Sequence, residues 1–155
     1  VGLMKGIDER LKNCEGAASY SSLQKRWLEQ AAESGLLEAQ LMYATSPESV
    51  IGDPSEMLRD PAAVQRYKTK AVGYLSKQAG LGNIDAMQML AESYNNGVLV
   101  KRDPIRSYAY YRLVDLAKPG LMPGKFLSGR AARLNAGDLG QAEHLAQDLY
   151  GRCCK

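Results

Sequence analysis

Apolar residues recur along most of this chain at spacings of three and four, the period of a helix with one buried face. Residues 84–97 give the clearest case. Ala86, Met87, Leu90, Ala91 and Tyr94 alternate with Asp85, Gln88, Glu92 and Asn95, and an Asn-Gly pair closes the run. The pattern predicts helices near 3–15, 20–34, 37–46, 61–80, 84–96, 104–118, 122–135 and 138–151. No stretch alternates with period two, and "GVLV" (97–100) reads as a turn with one buried valine. The expected fold class is all-α. Asp103-Pro104 is a helix start, in which Asp accepts orphan N–H groups and Pro in the first turn loses no bond. Asp60-Pro61 and Asp53-Pro54 repeat that arrangement upstream.

The helical pattern is periodic on a longer scale. At an offset of 47, Trp27 meets Tyr74, Leu28 meets Leu75, Ala32 meets Ala79 and Gly35 meets Gly82. Further on, Glu38 meets Asp85, Ala39 meets Ala86, Met42 meets Met89 and Ala44 meets Ala91. A partial third copy follows at an offset of 38, where Ala109, Ala117 and Gly120 match Ala71, Ala79 and Gly82. Each unit reads as two antiparallel helices joined at a glycine suited to the left-handed conformation. Glu38 or Asp85 then falls in the first turn of the next helix, where the dipole favours an anion. About a dozen residues around "SEMLRDPAAVQR" lengthen the first unit.

The pattern Ala-x-x-x-Leu-Ala-x-x-Tyr-x-x-Gly-x-x-Val-x-x-Asp over 86–103, followed by Ala109 and Ala117, resembles the Sel1-like repeat family. Trp27-x-x-x-Ala31-Ala32-x-x-Gly35 resembles the second helix of such a unit. The resemblance covers residues 24–120, with departures at Leu99, at Ser46 and in the insertion at 55–66. It implies a right-handed α-α superhelix, a short solenoid of antiparallel helix pairs related to tetratricopeptide repeats. The expected layout is a single domain: an N-terminal helix in 1–19, repeats over 20–120 with an insertion near 47–60, and capping helices in 121–155. Family members are adaptors, envelope-associated regulators, host-interaction factors and inhibitors of secreted toxins, so the resemblance implies a protein or peptide partner and no catalysis.

If the first helix of each unit lines a concave surface, as in such solenoids, Glu38, Leu41 and Thr45 face it, with Asp85, Gln88, Glu92 and Asn95 from the second unit. The result is an acidic, amide-bearing groove. The insertion offers a second contact region through Val50, Ile51, Met57 and Leu58, or else folds those residues back over the first unit's core. Three tyrosines within four positions, Tyr108, Tyr110 and Tyr111, cannot share one helix face, so one or two of them are expected outside. Alternatives from other classes are a glycan- or small-molecule-binding hydrolase using Glu38, Asp85 and Glu92, and a structural module of a larger protein.

Composition narrows the picture further. Twenty basic and seventeen acidic residues give a net charge of +3, and they are interspersed, so nucleic acid is not an expected partner. Hydrophobic content of 45% is a globular value, and no run is long enough for a membrane span. The opening "VGLM" reads as a trimmed or mature start, and compartment does not follow from a leader. Cys14, Cys153 and Cys154 lack metal-ligand spacing, so no metal and no cofactor are expected. Cys14 bridged to Cys153 or Cys154 would imply an oxidising compartment, a bacterial periplasm or envelope or a secreted protein; three free thiols at the chain ends would leave the cytoplasm open. His144 stands without a triad partner and reads as a surface or packing residue. Gly97 and Lys101 fall short of a phosphate loop.

Overall fold

The computed structural model describes residues 17–154, and the predicted helix at 3–15 and Cys14 lie outside that range. Among the described residues there are helices and no strands: α1 (Ala17–Glu33), α2 (Leu37–Thr45), α3 (Pro47–Val50), α4 (Pro54–Arg59), α5 (Pro61–Gly80), α6 (Ile84–Asn96), α7 (Pro104–Ala117), α8 (Gly124–Ala131) and α9 (Ala136–Cys153). The chain divides into two compact units, Val1–Pro61 and Ala62–Lys155.

In the first unit α1 packs on α2 and on the one-turn α3. Ala32, Ala39 and Ala44 let the backbones approach, and Tyr43 and Val50 fill the remaining space. Gln40 is also buried, but its amide donates to the carbonyl of Ala32 at 2.8 Å, so the polar group carries little desolvation penalty. The insertion is ordered rather than a loop. Pro47 and Pro54 each open a short helix, and Asp53 caps the second by accepting from Ser55 N and Glu56 N at 2.7 and 3.1 Å. Glu56 returns the bond to Asp53 N at 2.9 Å, completing a capping box. The Ser55 side chain first, and then the backbone N–H groups of Glu56 and Ser55, hold the Asp53 carboxyl below the usual aspartate range.

In the second unit α7 is the central element. It packs on α6, α8 and α9. Tyr67, Ala71, Leu75 and Ala79 of α5, Ala86, Met87, Leu90 and Ala91 of α6, and Leu113 and Val114 of α7 are buried. A second cluster joins Tyr108 and Ala109 of α7 to Ala142 and Ala146 of α9.

The repeat glycines behave as the pattern requires: Gly35, Gly82 and Gly120 all have positive φ, at 94°, 85° and 82°. The first two close turns with the same bonds. Leu36 N reaches Ala31 O at 3.2 Å and Gly35 N reaches Ala32 O at 3.1 Å; Asn83 N reaches Gln78 O and Gly82 N reaches Ala79 O, both at 3.0 Å. Every donor and acceptor in the second turn lies 47 residues after its counterpart in the first.

The prediction for 122–135 overshoots at both ends. Arg133 N and Leu134 N bond back three residues, to Arg130 O and Ala131 O. This tightened turn ends α8 and delivers Asn135, whose side chain accepts from Asp138 N at 2.9 Å and starts α9.

Candidate functional site

On α2, Glu38 and Thr45 are exposed and Leu41 is half-buried. Thr45 Oγ1 donates back to the carbonyls of Leu41 and Met42. The same unit leaves large apolar side chains in solvent: Trp27 is 63% exposed, and Leu23, one turn earlier on α1, is exposed beside it. Leu36 and Met42 are exposed as well.

The four insertion residues separate. Leu58 is 82% exposed, Ile51 and Met57 are half-buried, and Val50 is buried. Val50 is therefore core rather than a contact residue, because α3 turns it toward α1 and α2.

On α6, Asp85 is exposed and Gln88 half-buried, while Glu92 and Asn95 are engaged by neighbouring helices. Tyr111 of α7 donates its hydroxyl to Glu92 Oε2 at 2.5 Å. Arg130 of α8 donates from Nη1 to Asn95 Oδ1 at 2.9 Å. The Arg130 guanidinium lies 4.3 Å from the centroid of the Tyr111 ring and 4.5 Å from that of Phe126, and the two rings meet edge to face at 4.9 Å. The expected acidic face is thus partly neutralised by a cation held against aromatic faces. Asp85 and Glu92 stand seven residues apart, roughly 10 Å along the helix axis, and Glu92 already accepts a phenol.

All three clustered tyrosines face protein, contrary to expectation. Tyr108 and Tyr111 are buried, and Tyr110 stacks on Tyr94 with centroids 5.8 Å apart. The reason is that α7 has neighbours on several sides, so outward from one helix is inward to the next. Tyr108 donates to Glu143 Oε1 of α9 at 2.6 Å, and Arg112 Nε reaches the other oxygen at 3.2 Å. Burial first, and then the hydrogen bond to a carboxylate, pushes the Tyr108 and Tyr111 phenols up to about 12.

Two cavities flank α7. One, of about 450 Å³, opens between Tyr94, Arg106, Tyr110, His144 and Asp148. His144 is largely exposed there, with Nδ1 3.6 Å from Asp148. The other, of about 370 Å³, is lined by Asn95, Arg102, Ser107, Tyr108, Arg130 and Arg133 among others. Sequence reasoning did not single out Arg130, Ser107 or Phe126. Arg130 lies 35 residues from Asn95, and no periodicity specifies that pairing.

At the chain's end Cys153 is joined to Cys154. The sequence left open a bridge from one of them to Cys14, which lies outside the described residues, or three free thiols. The adjacent pair closes where α9 ends: Cys154 has left helical geometry, at φ −134° and ψ 18°. The Cα of Gly82 faces this end, since a Cβ there would stand 3.5 Å from Cys153 O. Among the described residues no three His, Cys, Asp or Glu side chains converge as a metal site, and no helix is long and apolar enough to cross a membrane.

No family model and no curated protein matches the chain. Among solved structures it is similar to a protective antigen present in uropathogenic Escherichia coli strains displaying an SLR fold, at a TM-score of 0.63 over 82% of this chain. The chain has a Sel1-like repeat fold. Identity to that antigen is 23%, and the chain spans 25% of the antigen's length. The turns at Gly35 and Gly82, with their 47-residue spacing, are the local form of the Sel1-like repeat here. The molecule is a helical repeat module.

Proposed function

We propose that this Sel1-like repeat module binds a protein or peptide and acts as an adaptor, regulator or inhibitor, without catalysis of its own. The observation that carries the reading is the first unit's surface. Its core is built mainly from small residues, while Trp27, Leu36, Met42 and Leu58 stay in solvent. Tryptophan and large aliphatic side chains are the groups that anchor partners once water is displaced. Glu38, Leu41 and Thr45 supply the neighbouring polar edge on α2, with Ile51 and Met57 beside Leu58 in the insertion. In the second unit Asp85 and Gln88 remain available, and Glu92 and Asn95 join through the ordered Tyr111–Arg130 cluster. Charge complementarity would set partner choice and on-rate more than affinity. The neighbour's description as an antigen of a pathogenic strain is compatible with an envelope or secreted location for this chain, where a Cys153–Cys154 bond persists.

The test is capture from the source organism using wild type, Trp27→Ala, Glu38→Arg and Leu58→Ser, each checked by circular dichroism. Loss of the same captured protein with Trp27→Ala or Glu38→Arg supports the reading. An identical captured set across all four would exclude these surfaces.

A further inference from the structure

The cavity of about 370 Å³ beside α7 lies wholly within the second unit. It is closed by the end of α6, the segment before α7, the first turns of α7 and the α8–α9 turn. Arg102, Arg130 and Arg133 line it, and no carboxylate residue does. Among the described residues none of the three arginines forms an ion pair. The nearest acid in sequence, Asp103, is occupied by the Arg106 backbone N–H and side chain. Two of its lining residues carry a buried polar atom with no hydrogen-bond partner: Ser107 Oγ, on a residue only 2% exposed, and Arg130 Nε.

These atoms share a chemistry. A guanidinium Nε–H only donates, and a serine hydroxyl donates readily to an anion. Buried donors without acceptors cost free energy, and three like charges around one small space repel one another. An oxyanion answers both deficits, because carboxylate and phosphate oxygens accept several charged hydrogen bonds in the fork geometry of arginine. The contacts of the Arg130 guanidinium with the Tyr111 and Phe126 rings, and its bond to Asn95, hold its fork in place before any ligand arrives. A water molecule would complete the hydrogen bonds and leave the charge unbalanced.

We infer that this cavity is an oxyanion-binding site, with Arg130 and Ser107 as its floor and Arg102 and Arg133 at its mouth. Its ligand is a carboxylate or phosphate group, brought either by a small free anion or by an acidic side chain of a bound peptide. The site stands independently of the apolar surface on the first unit.

Isothermal titration calorimetry on the full chain, at constant ionic strength, tests it with three probes: inorganic phosphate, succinate, and an acetylated and amidated Gly-Asp-Gly peptide, with sodium chloride as control. Saturable one-to-one binding of at least one probe is expected. Arg133→Gln and Ser107→Ala should each weaken it about tenfold, the effect of losing one hydrogen bond to a charged group. Ser107→Ala should leave the melting temperature of the free protein unchanged or raise it, which separates lost binding from lost fold. Preference for phosphate or succinate assigns the ligand to a free anion, and preference for the peptide assigns it to a partner side chain. The inference is overturned by the absence of saturable heat from all three probes at tens of millimolar. Binding that both variants leave intact, or that chloride reproduces, overturns it equally.

Discussion

The two full copies of the repeat share a turn but not a surface. The backbone bonds that close the turns at Gly35 and Gly82 correspond, and Ala32 and Ala39 are buried like Ala79 and Ala86. The large residues diverge. Leu75 is 1% exposed while Leu28 is half-buried, and Met89 is half-buried while Met42 is exposed. Within the second unit a full-length helix, α7, packs on α6; within the first, α2 packs on α1 and on the single turn of α3. One residue marks where the copies part. Gly97 takes the left-handed position at φ 77° and ends α6 with a bond from its N–H to Ser93 O. By the 47-residue offset α2 ends four residues earlier in its copy than α6 does: Ser46 closes it at φ −126°, and Pro47 begins a new helix at once. Glycine takes the left-handed position at the end of α6 without the steric cost a Cβ carries, and α2 ends on a residue outside that region. Small residues thus set how the chain turns, and the following element decides which large residues are covered.

The comparison breaks first in the core. Leu90→Ala should destabilise by about 2–5 kcal/mol in urea unfolding, because α7 closes over it and little can collapse into the cavity. Met42→Ala, at an exposed position of the first copy, should stay within about 0.5 kcal/mol. A smaller loss from Leu90→Ala than from Met42→Ala would reverse our account of the two surfaces. The turns should respond alike: Gly35→Ala and Gly82→Ala are each expected to cost roughly 1–2 kcal/mol by forcing a Cβ into positive φ. Gly97→Ser should cost about 1 kcal/mol and fray the end of α6 in hydrogen exchange, moving the second copy toward the first.

The tyrosines of α7 sharpen the contrast through pH. Tyr108 and Tyr111 titrate near 12 in the fold, above the ordinary value of about 10. The unfolded chain therefore releases these protons first. Their contribution is complete below pH 10 and is lost as pH rises toward 12. Alkaline unfolding followed by circular dichroism should steepen over that window, and a Tyr108→Phe, Tyr111→Phe double variant should flatten it. The smallest effect is expected from Trp27→Ala, whose melting temperature should match wild type within a few degrees while capture of a partner fails.

What the sequence made legible was governed by short-range rules. The helices at 61–80 and 84–96 agree with α5 and α6 to the residue, and the caps at Asp53, Asp103 and Asn135 are side chains bonding two or three residues ahead. The repeat offset found the turns because each turn needs glycine at one position. The candidate site was less legible. Glu92 and Asn95 were placed correctly on α6, but their partners, Tyr111 and Arg130, lie 19 and 35 residues away. Those pairings depend on how far α7 and α8 rotate about their axes, which helical periodicity alone does not define. The tyrosine expectation failed for a related reason: a helix amphipathic against one neighbour was assumed where three are present. Val50 was left open between contact and core, because a proline-started helix of one turn has too few residues to show a period.

The 47-residue spacing between the two turns also sets a length rule for the gene. Removing or duplicating the 47 codons 36–82 would join α1 to α6, or repeat the interval, through a turn that keeps its glycine in place. A change of 46 or 48 would alter the turn by one residue and rotate the next helix by about 100°, taking Ala86 and Leu90 off the buried face. Growth of such an array by recombination is therefore quantised, and the hydrogen bonds at Gly35 and Gly82 are its frame marks.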